Sequence, residues 1–395
     1  MPPRPKHHEL LFAFGLATFA LGALVLGPYL FAASYERSSL AAAIAAPPPV
    51  LDRAAYDARM LALAHIDLAS TTLGTSASTT LGIAPLAIAS STPSTSLGAS
   101  ATTSLPLLVA TTTATTSVSV EGKLWPRAAA YPKYGALLPF DRIVAYYGNF
   151  YSTRMGVLGE YPPEEMLAML ASTTAEWQAA DPSTLTVPAI DYIAVIAQGS
   201  PGQDGKYRLR MPADQIEKAL ALAEAASGIV ILDVQVGQST VEDELPILAP
   251  YLALPQVHLA LDPEFAMRPG ERPGTIIGSL DASDINWAAT YLAQIVQANN
   301  LPPKILLVHR FTEAMVGHPE AILPLPEVQV VVDMDGFGTV SRKISTYTSI
   351  VAPEPVEFTG FKLFYKNDIP PRGDLLMTPA QVLSLTPAPV FIQYQ

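Results

Sequence analysis

The chain of 395 residues contains no cysteine. It therefore has no disulfide bond, no lipid anchor on a thiol and no cysteine-ligated metal site. Basic residues are also scarce, with 23 Lys and Arg against 35 Asp and Glu and a formal net charge of -12. Binding along nucleic-acid phosphates needs a basic stripe, so this composition argues against a nucleic-acid partner. Neutral or cationic ligands stay open.

An apolar run without a charged residue covers residues 10–33, after a basic leader at residues 1–9. A helix of this length would span about 35 Å, enough to cross a hydrocarbon core of about 30 Å. The leader predicts a cytoplasmic N-terminus and an exported remainder. We predict a single-pass membrane anchor. A signal peptide, giving a secreted protein if cleaved, is the alternative, although its apolar core is usually only about 7–15 residues long.

Residues 34–124 differ from the rest of the chain. No charged residue lies between Leu68 and Val120, and half of positions 70–117 are Ser or Thr. Such a composition buries too little apolar surface to offset the entropy of the chain. We therefore predict a juxtamembrane segment and a flexible, Ser/Thr-rich stalk that could carry O-linked glycans, with a threonine-rich β-structure as the alternative.

Residues 125–395 alternate between strand-like and helix-like segments. Eight segments have the apolar, β-rich character of strands: 142–148, 191–198, 228–235, 257–264, 304–309, 328–335, 360–365 and 389–394. Helical patterns are clearest at 163–179, 212–226, 281–299 and 378–385. Eight strands that alternate with helices predict an α/β fold, the (β/α)8 or TIM barrel. No helical pattern follows the eighth strand, so we expect residues 126–140 to close the bottom or side of the barrel.

The alternative architecture is an open, doubly wound sheet. A glycine-rich phosphate loop after the first strand would support this architecture, and none is present there. The closed barrel is therefore preferred.

Strand alternation predicts which polar side chains face the interior of the barrel, at the C-terminal rim where barrel chemistry lies. In segment 257–264, Leu259 and Leu261 have the parity of the helix layer, whereas Asp262 and Glu264 have the inward parity. The same test selects further inward residues: Gln198, Asp233, Gln235, His309, Asp333, Asp335 and Lys362.

Carboxylates that converge in a dry site have pKa values that are forced apart, which lets an acid and a base coexist at one pH. We predict four catalytic candidates: Glu264, Asp335, Asp233 and Asp262. Any one of these acids could instead cap the helix or loop that follows it. No metal site and no cofactor is predicted.

Aromatic residues follow these acids along the chain, an arrangement typical of sugar clefts but also of side chains that plug a barrel mouth. An inward lysine is rarely placed for packing and is expected to neutralise a carboxylate or hold a substrate oxygen. The predicted substrate-binding residues are Tyr147, Gln198, Gln235, His309, Asp333, Lys362, Phe265, Phe337 and Tyr365.

Six short motifs carry a family resemblance: AYYG at 145–148, GVLGE at 156–160, LDPE at 261–264, IGS at 277–279, DMDGFG at 333–338 and GFKLFY at 360–365. The region 141–395 resembles a group of secreted bacterial proteins, often actinobacterial, with a glycoside-hydrolase-like TIM barrel and no assigned substrate. The resemblance implies the barrel fold and export.

Glu264 resembles the acid/base of many barrel glycoside hydrolases, but the seventh strand lacks their second glutamate. The second carboxylate is then expected to be Asp335, Asp333 or Asp233.

Three functions stay open. The leading hypothesis is a membrane-tethered, extracytoplasmic barrel that acts on or binds an envelope or extracellular polysaccharide as a glycoside hydrolase does. A metal-dependent hydrolase of deacetylase or phosphodiesterase type would instead use Asp233, Asp262, Glu264 and His309 around a divalent ion. A non-catalytic glycan-binding scaffold is the third.

Overall fold

The computed structural model describes residues 50–66, 129–354, 357–368 and 376–395. Its helices and strands all lie in one compact unit, Asp52–Gln395. The predicted anchor at 10–33 and most of the predicted stalk lie outside the described residues. Within the described part of the chain, no helix is long and apolar enough to cross a membrane.

The fold is built around a closed barrel of eight parallel strands. In chain order the strands are β1 (Asp141–Gly148), β2 (Leu185–Ala197), β3 (Arg208–Arg210), β4 (Ile229–Val234), β5 (Val257–Leu261), β6 (Leu280–Asp281), β7 (Lys304–Arg310), β8 (Val316–Gly317), β9 (Val328–Met334), β10 (Phe358–Leu363) and β11 (Phe391–Tyr394). The barrel follows the order β1-β2-β4-β5-β7-β9-β10-β11, and β11 pairs with β1 to close it. Strand β3 is antiparallel to β2, and β6 pairs only with β8.

Helices connect most of the strands. They are α1 (Arg53–Leu63), α2 (Val157–Glu160), α3 (Pro163–Ala180), α4 (Ala213–Ala225), α5 (Val241–Leu252), α6 (Ala282–Asn299), α7 (Val340–Thr346) and α8 (Pro379–Leu383). The connection from β7 to β9, described over its whole length, has 3-10 turns and the short β8 in place of an α-helix. The other connections between successive barrel strands each contain an α-helix.

These elements confirm the predicted α/β barrel. All eight predicted strands and the four predicted helices are present, and the sheet is closed, so the doubly wound alternative is wrong. Helix α5 was not predicted, because Pro246 and Pro250 lie inside it and proline normally ends a helix. Helix α5 begins instead at a favourable cap, where the Thr240 side chain accepts a hydrogen bond from the Asp243 amide.

Side chains alternate along the barrel strands as predicted. On β5, Leu259 and Leu261 belong to the apolar layer between sheet and helices, whereas His258 points into the barrel, where its Nδ1 accepts a hydrogen bond from the Ile305 amide at 2.9 Å. The bottom of the barrel is covered by the segment before β1. There the Leu138 side chain is fully buried and its backbone bonds to the Gln329 side-chain amide. Of the segment 126–140 predicted to close the barrel, residues 129–140 are described.

Helix α1 comes from the segment predicted as linker, and it packs on the barrel. The Arg59 guanidinium donates to the Ser183 carbonyl and the Thr184 hydroxyl just before β2. The Ala388 amide donates to the Leu63 carbonyl. Residues 52–63 are thus held by the barrel in the structure.

Candidate active site

A cleft of about 630 Å³ opens at the C-terminal ends of the barrel strands. Its volume is within the range of small-molecule and cofactor sites, about 300–1,000 Å³. The side chains that line it come from all eight barrel strands and the segments that follow them: Tyr147, Arg154, Met155, Ile193, Gln235, Asp262, Glu264, Phe265, Ile277, Phe311, Thr312, Asp335, Phe337, Arg342, Thr346, Lys362, Phe364, Asn367 and Gln395. The cleft therefore lies at the C-terminal rim of the barrel, where strand alternation predicts the polar residues to converge.

Two of the cleft acids lie on a tight turn after β5. The Asp262 side chain caps the 3-10 turn Pro263–Phe265, and its Oδ1 accepts a hydrogen bond from the Glu264 amide at 3.1 Å. The other oxygen, Oδ2, accepts from the Gln235 side chain at 3.2 Å. Asp262 is buried, and both of its carboxylate oxygens accept hydrogen bonds. Glu264 is only partly buried, and its carboxylate has no hydrogen-bond or ion-pair partner among the described residues.

A third acid, Asp335, lies beside two basic groups. The Lys362 Nζ is 3.1 Å from Asp335 Oδ1, and His309 Nδ1 is 3.4 Å from Asp335 Oδ2. The same ammonium lies 3.8 Å from the centre of the Tyr147 ring, a cation–π contact. These contacts hold the Asp335 carboxylate in one position at the floor of the cleft.

A second polar layer is buried one step below the cleft. His309 lies there between Asp333, with Nδ1 3.3 Å from Oδ2, and Asp233, with Nε2 3.8 Å from Oδ2. Gly360 stands opposite Asp333, and a side chain at that position would collide with the Asp333 carboxylate. On the far side, Gln393 donates to Asp191 Oδ2 at 2.5 Å.

Burial changes the pKa of two acids of the cleft, Glu264 and Asp262. Burial raises the pKa of Glu264, and the charge of Asp335 raises it further. Burial also holds the pKa of Asp262 well above its usual value, against the opposing charge of His309. Both groups therefore favour the protonated form relative to free carboxylic acids. A group that is protonated near neutral pH can act as a general acid.

At the centre of the buried layer below the cleft lies a basic group, His309. Burial disfavours the charge on His309, but the contact with Asp333 and the charges of Asp335 and Asp233 outweigh it and raise its pKa to about 10. Burial, with the charge of Asp233, raises the pKa of Asp191 to about 8. Near neutral pH, His309 is thus an imidazolium and Asp191 is largely neutral.

A buried ion pair links the loop that carries Asp335 to the end of β10, the strand that carries Lys362. Lys343 Nζ is 2.9 Å from Asp368 Oδ2 and donates to the carbonyls of Gly336 and Lys362. Asp368 in turn accepts from the amides of Gly338 and Phe364. The loop after β9 and the loop after β10 are therefore joined directly behind the cleft.

Most residues predicted from the sequence do come together. Those that line the cleft are Tyr147, Gln235, Asp262, Glu264, Phe265, Asp335, Phe337 and Lys362. Those that lie in the buried layer below it are Asp233, His309 and Asp333.

Two predicted residues do not reach the site, and their placement is corrected. Gln198 follows a β-bulge between Ile193 and Val195 that changes the alternation of β2. Its backbone N–H donates to the Tyr207 carbonyl in the hairpin with β3. Tyr365 lies on the outer side of the barrel, where its ring stacks on Tyr394. Neither side chain lines the cleft.

Sequence reasoning missed several residues of the site. Asp191 and Gln393 belong to the buried layer. Asp191 could have been found, because it is an acid at the start of the apolar segment 191–198. Arg154 and Arg342 line the cleft from the loop after β1 and from α7. Neither follows a strand directly, so alternation could not identify them.

The residues proposed for a divalent metal do not form a metal site. Within the described ranges, no three His, Asp or Glu side chains lie where they could share a metal ion. Asp262 accepts hydrogen bonds from the Glu264 backbone amide and from the Gln235 side chain. Asp335 contacts both His309 and Lys362. The donor set therefore fits an internal ion-pair network better than a metal centre.

Comparison with known proteins identifies no family for the chain. No family model matches it, and no curated protein matches it. Among solved structures, it is similar to a GH18 chitinase from Pseudoalteromonas aurantia, with 10% identity and a TM-score of 0.32 over 65% of this chain and 94% of the chitinase. A similarity this low bears on neither site nor substrate, and the barrel itself is established by its strand pairing.

Proposed function

We propose that the cleft cleaves a glycosidic bond and that Glu264 is its general acid. The observation that carries the proposal is the environment of Glu264. Its carboxylate lines the cleft and has no bonded partner in the described ranges, and burial and the charge of Asp335 raise its pKa. A glycosidase needs a carboxylic acid that is still protonated near neutral pH, so that it can protonate the leaving oxygen.

Asp335 is the second carboxylate in this proposal, acting as base or nucleophile. Lys362 Nζ and His309 Nδ1 lie within 3.4 Å of its oxygens, so two basic groups hold this carboxylate at the floor of the cleft. Asp233 is fully buried below the floor, so we assign it to the support of His309. Asp262 acts as a positioning residue because it binds the Glu264 amide.

The walls of the cleft suit a sugar. Phe337 lines it with 57% of its surface exposed, and the Phe265 and Phe311 side chains contribute further apolar area. Apolar ring faces contact the C–H faces of sugars, while acids and amides bind the hydroxyl groups. Tyr147, Gln235 and Asn367 provide such polar groups in the same cleft.

A glycan-binding barrel without catalysis is the second candidate. It is favoured by the fact that Asp262 and Asp335 already have partners. The Glu264 carboxylate, which has no partner within the described residues, favours hydrolysis instead. Turnover itself distinguishes the two functions.

The test is the release of reducing ends by the full chain from a panel of bacterial envelope and extracellular polysaccharides. We expect product from at least one of them, at a rate that EDTA does not change, because the described residues offer no shared metal site. Loss of activity with EDTA and recovery with a divalent ion would favour the metal-dependent hydrolase. Binding of a polysaccharide with no product would establish the scaffold.

We further propose that the barrel is extracytoplasmic and tethered by residues 10–33, as their apolar sequence indicates. The full chain is then expected in the membrane fraction, resistant to carbonate washing, with the barrel open to added protease in spheroplasts. Deletion of residues 1–33 should move it to the soluble fraction. Recovery of the full chain in the soluble cytoplasmic fraction would rule out the tether.

A further inference from the structure

The unpaired positive charge of the barrel collects at the end that carries the cleft. Most described Lys and Arg side chains have a partner, as in the pairs Arg142–Asp181, Arg310–Glu354 and Lys366–Glu160. Four arginines have no ion pair, side-chain hydrogen bond or cation–π contact with another described residue: Arg154, Arg268, Arg272 and Arg342. They follow the C-terminal ends of β1, β5 and β9.

Two of these arginines line the cleft itself. Arg154 comes from the loop after β1 and Arg342 from α7, after β9. Arg154 also lines an adjoining cavity of about 150 Å³. In a chain with 35 acidic and 23 basic residues, most cations are expected to find an acid. Two guanidinium groups from separate segments line one cleft and have no partner in the part of the chain that the structure describes. They therefore indicate a ligand that supplies the missing charge.

The acids of the cleft do not cancel this charge. Asp335 is already matched by Lys362 and by His309, and Asp262 is bonded below the surface. Burial raises the pKa of the third cleft acid, Glu264, which favours its neutral form. The guanidinium group forms two parallel hydrogen bonds with planar oxyanions such as carboxylates, and it also pairs well with sulfate or phosphate oxygens. The overall charge of -12 does not describe this local surface.

We propose that the cleft takes an anionic glycan, whose carboxylate or sulfate groups pair with Arg154 and Arg342. Arg268 and Arg272 are exposed on the loop that also brings Ile277 to the cleft, but they do not line it. The inference rests on the proposed function, namely that this cleft binds a glycan. It adds the charge of the substrate.

The experiment measures binding by calorimetry to the full chain carrying Glu264→Gln, which prevents turnover. The probes are an oligogalacturonate, a sulfated galactan oligosaccharide and a neutral cello-oligosaccharide of equal length. We expect an anionic probe to bind more tightly than the neutral one, with added salt reducing the difference. The arm that binds more tightly identifies carboxylate or sulfate as the recognised group.

In the same background, the double variant Arg154→Gln/Arg342→Gln should bind the anionic probe about 10- to 100-fold more weakly and the neutral probe unchanged. The matched control is Arg53→Gln/Lys218→Gln, which removes two exposed charges away from the cleft lining and should change neither affinity. An equal loss of affinity for the anionic probe in the control would show that binding depends on overall charge and not on Arg154 and Arg342. That result would overturn the proposal.

Tight binding of the neutral probe, unaffected by the arginine variants, would also overturn the proposal and leave the glycan cleft standing. The same conclusion would follow if none of the three probes bound while the polysaccharide panel still yielded product from a neutral glycan. If neither binding nor product is seen with any glycan, the proposed function and this inference both fail.

Discussion

The Glu264→Gln variant is expected to lose turnover by a factor of about 10²–10⁴ while it keeps its affinity for the glycan. The amide has nearly the shape of the acid but cannot donate the proton that the leaving oxygen needs. The Glu264 carboxylate has no hydrogen-bond or ion-pair partner among the described residues, and it is partly exposed, so the substitution removes no hydrogen bond or ion pair of the side chain. The measurements are reducing-end release for turnover and calorimetry for affinity.

Glu313→Gln provides the matched control. Glu313 is exposed, follows β7 at the same end of the barrel and does not line the cleft. We expect its turnover to equal that of the unchanged chain. Full turnover in Glu264→Gln would remove the general-acid assignment, and a parallel loss of affinity would point to a binding role instead.

The His309→Gln variant is expected to lose about 3–5 kcal/mol of unfolding free energy near neutral pH, the usual cost of removing one partner from a buried charge network. His309 lies fully buried between Asp233, Asp333 and Asp335. Both oxygens of Asp233 and of Asp333 lack a hydrogen-bond partner in the described part of the chain, so they depend on the charge of the imidazolium. Urea unfolding at several pH values measures the loss.

The loss should depend on pH in a defined direction. The pKa of His309 is raised to about 10 in the folded protein, against about 6.5 for an unperturbed histidine. Between these values the folded protein holds a proton that the unfolded chain has released. The stabilisation is therefore complete below about pH 6.5 and fades as the pH rises through about 10. The difference between the unchanged chain and His309→Gln should shrink accordingly.

A second buried histidine offers an internal control. Burial lowers the pKa of His258 to about 3, so above about pH 6.5 it is neutral in both the folded and the unfolded state. His258→Gln loses the bond from the Ile305 amide, at a cost of about 1–3 kcal/mol that should stay constant between about pH 7 and 10. A constant difference for His309→Gln as well would show that His309 is neutral and does not hold Asp335.

The faces of the strands could be predicted from the sequence, because apolar alternation reports directly which side packs on helices. The height of a residue in the barrel could not, since it depends on the register between strands. His309 pairs with Asp333 across β7 and β9, and this register places both a layer below Asp335. Alternation alone placed all three at the rim.

Local irregularities explain the remaining differences. Glu264 was predicted to point inward as part of a strand, but β5 ends at Leu261 and the residue reaches the cleft through a 3-10 turn. The bulge in β2 moved Gln198 away from the site. Neither a bulge nor a single turn leaves a periodic signal, because each changes the alternation by one residue.

The most direct test of the proposed site is a crystal structure of the Glu264→Gln chain with an oligosaccharide that the unchanged chain cleaves. We expect one glycosidic oxygen within about 3 Å of the residue 264 side chain, with Asp335 facing the same sugar unit and a ring face against Phe337. A sugar bound outside the cleft, or a cleft in which no glycosidic bond lies between residues 264 and 335, would contradict the assignment.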